Sequence, residues 1–155
     1  MRVQGKILSI TVIILLFVLL PGCGKKESQI PWDVQEIWNS VAAAEDFPEM
    51  IPVPENRLGY MFGIEPEDYT QELIAVSADS LRADEIWLIE AVDEAAASRI
   101  EELAKVRLTQ KEEETRSYAP EQYRIVQEAK LQLNGVRLIM IVSPLSEEIL
   151  QKLSG

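Results

Sequence analysis

The chain has 155 residues, a formal net charge of −11, a single cysteine and no histidine. The acidity argues against nucleic-acid binding, which needs a basic footprint. The missing imidazole removes histidine general bases, Ser-His-Asp triads and histidine metal sites, and one cysteine can form neither an internal disulfide nor a thiolate cluster.

In chain order, Arg2 and Lys6 precede the uncharged run "ILSITVIILLFVLL", Ile7 to Leu20. A basic start followed by an apolar run predicts a secretory signal. As a helix the run covers roughly 21 Å, short of the ~30 Å hydrocarbon core, so a membrane span is the weaker reading. It closes on Leu20-Pro21-Gly22-Cys23. This resembles the bacterial lipobox: an aliphatic residue, a small residue, Gly or Ala, then cysteine. Leu20, Gly22 and Cys23 match, while Pro21 replaces the usual Ala, Ser, Thr or Val. The resemblance implies that residues 1–22 are a signal peptide cleaved before Cys23, and that the thiol carries a thioether-linked lipid. The protein is then expected on the outer face of the cytoplasmic membrane, its N-terminus often acylated as well, since two or more chains anchor stably where one is marginal.

Removing residues 1–22 leaves 133, enough for one domain with a core, and the loss of Arg2 and Lys6 lowers the charge from −11 to −13. Such a chain gains little from anionic lipid beyond its anchor and Lys25 and Lys26, each worth about 1 kcal/mol at such a surface. Residues 23–31 read as a lipidated tether, and 32–155 as a single domain.

"WDVQEIWNSVAAA" predicts a first helix, with Val34, Ile37, Trp38, Val41 and Ala42 on one face and Asp33 as its cap. "PEMIPVPENR" is proline-rich and reads as extended or looped. In "RLGYMFGIEPEDY", Leu58, Met61, Phe62 and Ile64 suggest one helical turn against the core. "TQELIAVSA" and "DEIWLIEAV" predict two strands. Asp93 caps a long helix whose apolar stripe is Ala96, Ile100, Leu103 and Ala104. Beyond Arg107 that helix turns polar on every side, which predicts that it projects into solvent. Pro120 suits the first position of a short helix. Two further strands flank Asn134-Gly135, expected as a type I′ hairpin turn. Ser146 is expected to cap a last helix. The fold class is α+β: a mostly antiparallel four-stranded sheet in the order helix, two strands, long helix, two strands, helix. The strands "EIWLIEAV" and "VRLIMIV" are apolar on both alternating sets, so both sheet faces need cover. Helices on one face alone would leave Trp87, Ile89, Ile139 and Ile141, or their opposites, open, and the first helix is the expected second cover.

The stretches "YMFGIEPEDY", "ADEIWLIEAVDEAAASRIEELAKVRLTQKEEETRSYAPEQY" and "NGVRLIMIVSP" resemble a family of small lipoproteins of Gram-positive bacteria, domain of unknown function 4358. The resemblance spans roughly Trp32 to Leu153. It implies a lipoprotein with a single domain and carries no assigned activity or catalytic residue.

Serine acyl-enzyme (Ser-x-x-Lys) and phosphate-loop signatures are absent. The acidic clusters Glu65 to Asp68 and Asp79 to Glu85 lack the spacing of a calcium loop and read as solvated carboxylates, so no metal and no cofactor is expected. The expected function is therefore a non-catalytic binding or interaction module held at the membrane by its lipid, with an unknown protein as a candidate partner. Arg107, Tyr118 and Trp87 are the candidate contact residues, against the plainer reading of a solvated helical face, a packed bend and a core tryptophan. The alternative is a small carboxylate-dependent hydrolase of cell-envelope material, which would require two converging carboxylates, one with a raised pKa.

Overall fold

In the computed structural model, residues 32–44, 46–117 and 119–154 are described. Asp33 caps the first helix, α1 (Val34–Ala42), by accepting from the Gln35 and Glu36 backbone N–H groups. Helix α2 (Leu58–Phe62) turns Leu58 and Phe62 inward and ends at Gly63, whose φ of 74° is the left-handed conformation of a glycine stop. Asp93 caps α3 (Glu94–Arg116) through the Ala96 N–H. Pro120 opens α4 (Pro120–Gln127), and α5 (Ser146–Ser154) closes the chain.

Five strands form one antiparallel sheet in the order β1-β2-β3-β5-β4: β1 (Met50–Pro52), β2 (Tyr69–Ser77), β3 (Glu85–Ala91), β4 (Lys130–Asn134) and β5 (Arg137–Val142). The four predicted strands are present. The fifth, β1, lies within the segment expected to be extended or looped, where Met50, Ile51 and Pro52 pair with Ser77, Val76 and Ala75. Pro52 has no N–H to extend a ladder further, which suits it to this short edge.

Helices cover both faces. On one, Ile74, Trp87, Ile89, Leu138, Met140 and Val142 pack against Ala96, Ala97, Ile100 and Ala104 of α3, Ile125 and Val126 of α4, and Leu58 and Phe62 of α2. On the other, Leu73, Ala75, Ile86, Leu88, Ile139 and Ile141 pack against Val34 and Val41 of α1 and Ile149 of α5. The first helix provides the expected second cover, joined by α5. The grouping of Trp87 and Ile89 with Ile139 and Ile141 is corrected. Register sets Trp87 opposite Met140 and Ile86 opposite Ile141, so Trp87 shares its face with Leu138 and Met140. A one-residue change of register exchanges the faces of a strand.

Two local expectations also change. Ser146 does not cap α5: its buried hydroxyl donates to the Glu128 carbonyl at the end of α4. In the β4–β5 hairpin, Asn134 pairs with Arg137, so Gly135 and Val136 are the two central turn residues. Gly135 has φ 61°, while no described non-glycine residue has positive φ. This is the type II′ pattern, with glycine first, rather than type I′ centred on Asn134-Gly135.

A Cβ at position 135 would meet nothing within 4 Å, so a substitution there tests backbone conformation alone. Gly135→Val should cost roughly 1–2 kcal/mol, the penalty for a left-handed non-glycine residue, read as a lower urea midpoint with unchanged slope.

Candidate functional site

Strand alternation turns Glu85 and Trp87, two residues apart on β3, to the α3 face. Glu85 is fully buried, and the Trp87 indole Nε1 donates to its Oε1 at 2.7 Å. Two cations reach it from α3. The Arg107 Nε lies 3.1 Å from both carboxylate oxygens, and Nη2 donates to Oε2 at 2.8 Å. One turn later, the Lys111 Nζ is 2.9 Å from Glu85 Oε2 and donates to the Ala83 carbonyl, also at 2.9 Å. The i, i+4 spacing places both cations on one helix face. Phe62 completes the layer: its ring meets Trp87 edge-on at 5.1 Å and lies 5.6 Å from the Arg107 guanidinium.

Electrostatics follow from this geometry. Burial by itself would raise the pKa of Glu85, but the Arg107 hydrogen bonds and the Lys111 charge outweigh it and hold the carboxyl below its ordinary value. Burial likewise disfavours the Arg107 cation, and Glu85 overcomes that and pushes its pKa up. A carboxylate held ionised, with both oxygens bonded to donors, is suited neither to give a proton as general acid nor to accept one readily.

A second constellation lies where β2 passes the 3-10 turn Glu55–Arg57. The Tyr69 hydroxyl donates to Glu55 Oε1 at 3.1 Å, and burial, then Glu55, pushes the phenol up to about 12. Glu72 has its pKa raised by burial and then by Glu55, and its Oε2 is buried with no hydrogen-bond donor. At the opposite end of β2, a cleft of about 320 Å³ is lined by Pro48, Glu49, Ser77, Ala78, Asp79 and Arg82. Arg82 Nε donates to Asp84 Oδ2 at 2.8 Å, while Asp84 Oδ1 is buried without a partner. In the other acidic cluster Asp68 pairs with Arg99, and the Glu65 carboxylate lies against Gly59. Among the described residues no group of three Asp, Glu, Cys or His side chains is placed to hold a metal ion.

The residues singled out from sequence fare differently. Trp87 is completely buried, and the Arg107 side chain is 22% exposed; both meet at Glu85. Tyr118 and Cys23 lie outside the described residues. The polar end of α3 does not project freely into solvent as expected: Lys111 and Thr115 are buried, and the Thr115 hydroxyl donates to the Lys111 carbonyl at 2.7 Å. Glu85, which joins these parts, ends the acidic cluster expected to be solvated and is instead buried. Its position in alternation with Trp87 and Ile89, inside an apolar strand, was the available signal.

Residues 43–143 match the model of a family described as a domain of unknown function, DUF4358. The chain belongs to this family. No curated protein and no solved structure matches it. The DUF4358 region contains the whole sheet and the Glu85 cluster, while α1 precedes it and α5 follows it. The family match therefore covers the α2–α4 face in full and omits the two helices that close the other.

Glu85→Ala strands two cations in a low-dielectric layer and should cost about 3–5 kcal/mol in urea unfolding. The native carboxyl of Glu85 is depressed, so its stabilisation is present above the unfolded value of about 4.3 and is lost as pH falls through the native one. The native pKa of Glu72 is raised, so its contribution is greatest at low pH and declines as pH rises. Glu72→Gln should raise the unfolding free energy at pH 7, by less than about 1 kcal/mol after solvent screening, read as a higher urea midpoint, and this gain should disappear below the carboxylate range.

Proposed function

We propose that this DUF4358 protein is a lipid-anchored extracytoplasmic lipoprotein whose domain works by binding a partner rather than by catalysis. The anchor rests on Leu20, Gly22 and Cys23 after an apolar run. The observation that carries the binding role is the saturation of Glu85: the most deeply buried carboxylate in the α3 layer is occupied by Arg107, Lys111 and Trp87, and so serves the fold. The charge of the processed chain disfavours nucleic acid and directs attention to protein partners.

One observation favours the alternative. Burial, then the charge of Glu55, raises the pKa of Glu72 beside Tyr69, the direction an acid catalyst needs. In the hydrolase reading, Glu72 gives a proton to a leaving group and Glu55 is the paired carboxylate. Turnover of isolated cell-wall material by the purified full chain, abolished in Glu72→Gln, would establish that reading in place of binding. The binding role expects no turnover by either chain.

Anchoring is tested directly. Cys23→Ser should abolish metabolic labelling with an alkyne fatty acid and leave an unprocessed precursor or released protein, and equal labelling in that variant would rule out the anchor.

A further inference from the structure

We infer that the outward face of α2 is the docking surface for a basic, apolar polypeptide segment of a partner protein; this rests on the binding role proposed above and gives it a location. Helix α2 sends Leu58 and Phe62 into the core, which leaves Tyr60 93% and Met61 41% exposed on its other side. An exposed tyrosine offers a large apolar contact that loses little side-chain freedom on binding, as interface anchors do, and the adaptable methionine beside it can mould to what docks there.

The surroundings select the occupant. Glu55 lies in the 3-10 turn that runs directly into α2. The Glu65 carboxylate is 3.1 Å from the Cβ position of Gly59, so it flanks α2 at the residue before Tyr60. Glu67 follows, also exposed. Arg57 is the only basic residue between positions 55 and 81. Arg99, which approaches from α3, is paired with Asp68. An apolar anchor bordered by carboxylates repels an anionic bilayer or wall polymer. It matches a peptide in which Lys or Arg flanks an apolar side chain: the carboxylates attract and orient it, and Tyr60 and Met61 supply the buried contact.

The probe is a short synthetic peptide alternating lysine with leucine, titrated into the full chain in neutral detergent and followed by NMR. The expected result is shift changes centred on Tyr60 and Met61, with affinity about tenfold weaker in Tyr60→Ala. A Glu55→Gln/Glu65→Gln double variant should bind more weakly and with a flatter salt dependence. Leu81→Ala removes an equally prominent apolar side chain elsewhere and should leave affinity unchanged. Equal affinity in Tyr60→Ala overturns the proposal, as does stronger association with phosphatidylglycerol vesicles than with the peptide. Shift changes confined to another face overturn this surface while leaving the binding role standing, which fails separately through turnover of envelope material.

Discussion

The buried ion cluster around Glu85 is the constraint on which the rest of this domain depends. The long helix α3 has apolar side chains facing the sheet only as far as Leu108. From there on charged side chains take over the contact with the sheet: Arg107, beside Leu108, and Lys111, one turn later, reach back to one carboxylate at the start of β3. Removing three charges from water is costly, and the pairing offsets that cost only when donors and acceptors are satisfied. Here they are. Trp87 and Arg107 serve Oε1, Arg107 and Lys111 serve Oε2, and Lys111 also reaches the Ala83 carbonyl. Such a contact fixes the rotation and position of the helix more narrowly than apolar packing alone, because a shift of one turn would separate the charges.

The docked end of α3 carries its neighbours with it. Helices α3 and α4 pack side by side, and Ala83, whose carbonyl accepts from Lys111, also donates its N–H to the Gln122 side chain of α4. The end of α4 then receives the Ser146 hydroxyl from α5, on the opposite layer. Polar side chains thus join three helices across the sheet, while the bulk of the burial comes from the alternating faces of β3 and β5. Every residue from Glu85 to Ile89 is buried, which requires helices on both sides.

This arrangement separates residues that hold the domain together from residues free to meet something else. Arg107 and Trp87 belong to the first group by their contacts. Tyr60 and Met61 belong to the second by exposure, and the acidic segment around them is where charge and apolar area coincide. The Glu55–Tyr69–Glu72 group stands between the two: partly buried, incompletely paired, and the one place among the described residues where a raised carboxylate pKa accompanies a neighbouring acid.

What the sequence determined by itself is what depends on near neighbours. The Asp33 and Asp93 caps, the proline start of α4 and the four main strands follow from side chains within a few residues of the groups they serve. Partner choice across the chain was decided only by the tertiary structure. Strand register put Trp87 with Met140 instead of with the Ile139 set, and it drew three residues of the proline-rich stretch, expected to be extended or looped, into an edge strand. Gly135 took the first central position of its turn because pairing of Asn134 with Arg137 moved the turn by one residue. The polar end of α3 looked solvated because helix periodicity registers apolar stripes, and a stripe of Arg107, Lys111 and Thr115 becomes a packing face only when a buried carboxylate, 22 residues from Arg107 in the chain, is brought opposite it.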